Sequence, residues 1–178
     1  MKKILIIAGI ILSIVLFTMI SFATTNNHVI VLEEQIKESE SSIKIQEKRR
    51  LDLIINLVDT VKSYNKYEQE TLSKIVDARS KAVDGQVDET EKLINLVVEQ
   101  YPELKSNENY KQAMTEMSVT ENLIAEHRNN YNEQIKSYNK YVKKFPNSLI
   151  LNIIGYDKQD YEYLGYEVSS DAPTNLWD

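Results

Sequence analysis

Residues 4–23 form an unbroken run of uncharged, mostly aliphatic side chains directly after Lys2 and Lys3. At ~1.5 Å of rise per residue such a run makes a helix of ~30 Å, the thickness of a bilayer's hydrocarbon core. A helix that is apolar all round must be enclosed by protein or placed in lipid. The start can be read two ways. Two lysines, an apolar run and then Ser21-Phe22-Ala23 have the make-up of a cleavable secretory signal. Signal cores, however, run only ~7–15 residues, and the greater length here favours a retained anchor. Residues 24–40 contain Glu33, Glu34, Glu38 and Glu40 against Lys37. The positive-inside rule therefore places residues 1–3 in the cytoplasm and the rest of the chain outside, with a cytoplasmic domain as the alternative.

After the span, the pattern is helical. The chain has 178 residues with four Gly, three Pro and 27% charged residues, a composition of long helices rather than strands or disorder. A formal net charge of −6 repels nucleic acid on average, and an anionic headgroup layer is not expected to attract such a surface either. With no cysteine, the chain has no disulfide, no lipid-modified Cys and no thiol chemistry. An apolar stripe at seven-residue spacing runs through Val29, Ile36, Ile43, Arg50, Leu57 and Tyr64, joined further along by Ile54 and Val61. Nothing from residue 29 to 62 is Gly or Pro, so one long helix is expected there, breaking near Ser63-Tyr64-Asn65. Leu72, Ile75, Val76, Arg79 and Val83 mark a second helix, which Asp84-Gly85 closes. Leu93, Leu96, Val97 and Val98 mark a third, stopping at Tyr101-Pro102. The fourth is a heptad seam through Tyr110, Met114, Met117, Glu121, Ile124, Arg128, Tyr131, Ile135, Tyr138, Val142 and Phe145, ended by Pro146.

Two blocks within this pattern are more specific. The first is Glu47-Lys48-Arg49-Arg50-Leu51-Asp52-Leu53-Ile54-Ile55-Asn56-Leu57-Val58-Asp59-Thr60-Val61-Lys62. The second begins at Tyr101-Pro102-Glu103-Leu104-Lys105-Ser106-Asn107 and resumes at Thr120-Glu121-Asn122-Leu123-Ile124-Ala125. It continues through Arg128, Tyr131-Asn132, Tyr138-Asn139, Phe145-Pro146 and Leu149-Ile150. Together they resemble the LemA family of membrane-anchored bacterial helical proteins. Ile55, Ser63 and Tyr67 depart from the family pattern, where Pro, Gly and His are common; a straighter first helix and a less sharp turn near Ser63 would result. The resemblance implies a single span and an antiparallel helical bundle in the bacterial envelope, and it implies no settled activity.

The residues themselves offer no catalytic constellation. His28 and His127 are the only imidazoles, and Thr25 and Ile124 stand where a di-metal bundle needs the Glu of Glu-x-x-His. HExxH, Gly-rich phosphate loops and Gly-x-Ser-x-Gly are absent. No catalytic residue, metal or cofactor is therefore assigned. The polar residues inside the seams stand out instead. Antiparallel pairing of the first and last helices puts Arg50 opposite Ile124, within a turn of Glu121, and Glu47 near Arg128. These four form an expected register-fixing polar layer, the sharper alternative being a functional site. The seam tyrosines read as core, with their hydroxyls reaching the rim. Tyr156, Tyr161, Tyr163 and Tyr166 are expected to dock on the bundle rather than to form a recognition surface.

The expected fold is all-α: residues 4–23 as transmembrane anchor, then an antiparallel four-helix bundle of two long and two short helices over 24–146. Residues 147–168 form an apolar, Tyr-rich segment near the membrane or docked on the bundle, and 169–178 a disordered acidic tail. Helix lengths return Leu149, Ile150, Leu151, Ile153 and Ile154 to the membrane, where they are expected to touch its surface or else cap the bundle core. The expected role is a single-pass scaffold or protein-interaction module without catalysis. The partners expected are the bilayer, an unidentified envelope protein and further copies of the chain, with nucleic acid excluded. A laterally assembling membrane-remodelling scaffold and a catalytic or chaperone-like envelope factor are the alternatives.

Overall fold

The computed structural model describes residues 2–63 and 68–165, and every described element is helical. Helix α1 spans Lys2–Lys62, α2 Gln69–Val83, α3 Val87–Gln100, α4 Glu108–Lys143 and α5 Asn147–Ile153, with a 3-10 turn at Pro102–Ser106. Tyr64 and Asn65, Tyr166 and the acidic tail lie outside the described residues.

The span and the first helix of the packed region are one continuous helix. The polar stretch at residues 24–28 does not interrupt it. No Gly or Pro lies between residues 10 and 62. Thr24, which could have competed with the helix, folds its hydroxyl back onto the Ile20 and Ser21 carbonyls at 2.9 and 3.1 Å. Within α1, Ile4 to Ile20 expose their aliphatic side chains all round. Among the described residues, α1 is the helix long and apolar enough to cross a membrane.

The chain divides into two compact units: residues 1–38 with 130–178, and residues 39–129. In the second, Ile54, Leu57, Val58 and Val61 of α1 meet Ile75, Ala78 and Ala82 of α2, Ile94, Val97 and Val98 of α3, Leu104, and Tyr110 and Met117 of α4. Gly85 ends α2 with φ 78°, a conformation open to a residue without Cβ, and the Gln86 amide donates to the Lys81 carbonyl at 2.9 Å. That reversal lets α3 begin two residues later.

The first unit has fewer helices and a different filling. Val29, Leu32 and Ile36 of α1 pack with Ile135, Tyr138 and Val142 of α4 and Leu151 of α5, with Tyr131, Tyr141, Tyr156 and Tyr161 closing over them. Helix α5 ends like α2: Gly155 takes φ 70°, and the Tyr156 amide donates to the Leu151 carbonyl at 2.9 Å. The turn carries residues 156–165 back across the unit.

Candidate functional site

Arg50 holds a place in the apolar stripe of α1 between Ile43 and Leu57, so its aliphatic stem is drawn inward and its guanidinium emerges at the surface of the second unit. Three carboxylates meet it there. Nη2 donates to Asp88 Oδ1 at 2.8 Å and to Glu91 Oε1 at 3.5 Å, and Nε faces Glu121 Oε1 in an ion pair. Asp88 and Glu91 come from the start of α3, three apart and on one face, where acidic side chains also suit the helix dipole. Glu121 comes from α4. One cation thus fastens three helices. Glu47 stands beside Arg128 at 3.9 Å, and Arg49 beside Glu116 at 4.0 Å.

The four residues of the expected polar layer are brought together as two pairs, but not in a closed interior. The side chains of Arg50 and Arg128 are 25% and 32% exposed, and those of Glu121 and Glu47 are 47% and 49% exposed. Heptad positions next to a groove admit water at the tips of long side chains, which lowers the desolvation cost of each charge. Sequence reasoning missed Asp88 and Glu91, having considered only the facing long helix. Their i, i+3 spacing at a helix start was the signal available.

Burial works against the charge on Arg50, but Glu121, Asp88 and Glu91 outweigh it and hold the guanidinium more firmly protonated than usual. Glu91 moves the other way from the ordinary carboxylate. Burial raises its pKa, Arg50 opposes the rise, and the charges of Glu121 and Asp88 reinforce it. Beside this cluster lies a cavity of about 220 Å³ with Arg50, Glu91 and Glu121 on its polar side and Leu57, Ile94 and Met117 on its apolar side. Nη2 and Nε of this guanidinium already face carboxylates, and three acidic side chains around it disfavour an anionic substrate. Among the described residues no group of three or more His, Asp or Glu is placed to hold a metal ion. The arrangement fastens helices.

The first unit is held by hydroxyls and amides. Tyr156 donates to a Glu33 carboxylate oxygen, and its hydroxyl lies 2.8 Å from that of Tyr138. The Gln159 amide donates to the Tyr138 hydroxyl at 2.9 Å, and Tyr161 meets the Tyr138 ring edge-on at 5.2 Å. Burial, then Glu33 and Tyr138, push the Tyr156 hydroxyl far above the usual tyrosine range. Asn132 grips the backbone of Leu164 from both sides, donating to its carbonyl at 2.9 Å and accepting from its amide at 2.8 Å. His28 stacks obliquely on Tyr141 at 4.5 Å, and Tyr141 donates to the Thr25 carbonyl at 3.5 Å.

The apolar segment after Pro146 divides. Ile150 and Leu151 are buried, at 8% and 3% exposure, and Leu151 belongs to the first unit's core. They are therefore withdrawn from the expected membrane-surface set. Leu149, Ile153 and Ile154 remain exposed at 52%, 63% and 39%, together with Phe145 at 73%.

A family model described as the LemA family matches residues 39–174. Protein LemA of Metamycoplasma hominis is 32% identical over 156 residues, covering 81% of this chain and 71% of that protein. Magnetosome protein MamQ of Magnetospirillum gryphiswaldense is 22% identical over 191 residues, covering 84% of this chain and 70% of that one. Magnetosome protein MamQ 2 of Paramagnetospirillum magneticum is 37% identical over 65 residues, covering 36% of this chain and 24% of its own length. The family match takes in both sides of the Arg50 cluster and the tyrosine-lined segment, and the chain belongs to the LemA family.

Proposed function

We propose that this protein is a single-pass, membrane-anchored helical scaffold or protein-interaction module of the bacterial envelope, with no reaction of its own. The observation that carries the reading is the continuity of α1, whose exposed apolar part passes without a break into a part packed by other helices. A helix built that way transmits the position of the bilayer directly to the folded region. We take α1 and α4 as antiparallel neighbours, with α2 and α3 completing a four-helix arrangement. The pairs Glu47 with Arg128 and Arg50 with Glu121 support that direction. The charge bias around the span supports an extracytoplasmic domain. Absence of catalysis is supported by the three carboxylates that engage Arg50. Proximity labelling in cells, with the label fused after Asp178, tests the reading. Repeated recovery of the same envelope proteins is expected. Recovery of cytoplasmic proteins alone would overturn the placement, and turnover of a small-molecule substrate by the purified chain would overturn the scaffold role.

A further inference from the structure

The last third of this acidic chain carries a cationic segment. Residues 134–160 include Lys136, Lys140, Lys143, Lys144 and Lys158 against Asp157 and Asp160, a local excess of positive charge in a chain whose net charge is −6. The segment ends beside the span. Tyr138 is linked through Tyr156 to Glu33, whereas Tyr141, one turn further along α4, reaches Thr25 and His28. Moving toward the end of α4 therefore moves toward residue 23, where the apolar run stops, and Lys143 closes that end of the helix. Ser21 and Phe22 are the residues of that run that are partly covered rather than exposed.

A cavity of about 250 Å³ opens here, with Lys143, Ser148, Asn152 and Lys158 around the Tyr156 side chain. The Tyr156 hydroxyl is committed to Glu33 and Tyr138, and Lys143, Lys158, Ser148 and Asn152 make up the rest of the polar lining. Neither Lys143 nor Lys158 is ion-paired with a carboxylate among the described residues. Next to it, Phe145, Leu149 and Ile153 stand exposed, the last two four apart on one face of α5. Paired cationic donors beside an exposed aliphatic face match a molecule with an anionic head and an apolar tail.

We propose that this cavity is a subsite for an anionic phospholipid of the leaflet in which the span ends. Its headgroup phosphate sits between Lys143 and Lys158, and Phe145, Leu149 and Ile153 enter the acyl boundary. The proposal rests on the retained-anchor reading above.

The test uses the full chain in detergent micelles doped with phosphatidylglycerol or phosphatidylcholine, bound lipid being counted by native mass spectrometry. The parent should retain phosphatidylglycerol preferentially. Lys143→Gln with Lys158→Gln should lower that retention about thirtyfold, in line with what two lysines contribute at an anionic surface. The matched loss of charge in the second unit, Lys105→Gln with Lys111→Gln, should leave it unchanged, and all variants should keep the parent's melting temperature. Equal retention of the two lipids, or an equal loss from the second-unit pair, would overturn the subsite and leave the anchor standing. Displacement of phosphatidylglycerol by inorganic phosphate would make it a free-phosphate site and overturn the lipid. Failure of the chain to enter phosphatidylcholine micelles would overturn both the anchor and the subsite.

Discussion

The two units solve the same problem with different chemistry. Residues 39–129 draw on four helices, fill the interior with Ile, Leu, Val and Ala, and fasten the margins with guanidinium–carboxylate contacts such as Arg50 with Glu121 and Arg79 with Asp59. Residues 1–38 with 130–165 have less helix to work with. They recruit a non-helical return segment, whose tyrosines supply area and whose hydroxyls and backbone find partners on Tyr138, Glu33 and Asn132. A segment without repeating secondary structure exposes backbone donors and acceptors, so a unit that uses one must place side-chain amides and hydroxyls opposite them. Aliphatic packing suffices where every neighbour is a helix.

The largest effects should come from the two interiors and should stay separate. Ile54→Ala and Ile135→Ala each remove a fully buried side chain and should cost about 2–5 kcal/mol. Measured on the full chain in micelles, amide hydrogen exchange should rise in α2 and α3 for the first. For the second it should rise at Leu164, whose amide depends on Asn132. Equal acceleration everywhere in both variants would erase the distinction between the units.

Arg50→Leu comes next. It leaves Asp88, Glu91 and Glu121 facing one another without a cation. Because the cluster is partly solvated, the loss should be about 1–2 kcal/mol, below the ~3–5 kcal/mol of a fully buried pair. Arg50→Leu with Glu121→Leu should recover part of it, and strictly additive losses in a thermal melt would mean that the two side chains do not interact.

Much of this was legible in the sequence, and the parts that were not share a cause. The heptad through α4 and the Gly at 85 mark helix and turn because period and backbone freedom are local properties. Asp88 and Glu91 were passed over because a carboxylate on a short amphipathic helix looks the same whether it faces water or an arginine of another helix. The split of Leu149 to Ile154 was equally hidden: five aliphatic residues within six positions give no period until a helix assigns faces. Residues 24–28 are polar but contain no Gly or Pro, so α1 runs through them without a break.

Smaller tests sharpen the chemistry of each unit. Tyr156→Phe removes the donor to Glu33 and the partner of Tyr138 and should cost about 1 kcal/mol, seen as faster exchange at the Gln159 amide. No change there would reduce the hydroxyl chain to a packing role. The smallest effect belongs to Glu91. Its carboxyl pKa is raised in the folded state, so the native protein binds that proton more tightly than the unfolded chain does. Its contribution is therefore most favourable below the ordinary carboxylate range and is lost as pH rises through the raised value. Glu91→Gln should equal the parent or exceed it by a few tenths of a kcal/mol at neutral pH, an advantage that fades on acidification. A stability gain that grew on acidification would reverse the assigned direction.

The central claim is that one helix runs from within the bilayer into the folded domain and is retained there, with the domain outside. The chain contains no cysteine, so single cysteines placed along α1 can be read against a silent background. A membrane-impermeant maleimide applied to intact spheroplasts should leave Ile10→Cys and Leu16→Cys unmodified, label Asn27→Cys and Ile30→Cys, and spare Val29→Cys and Ile36→Cys on the packed face of the same helix. Labelling of Asn27→Cys only after the membrane is broken, or a mature chain from which positions 10 and 16 are missing, would contradict it.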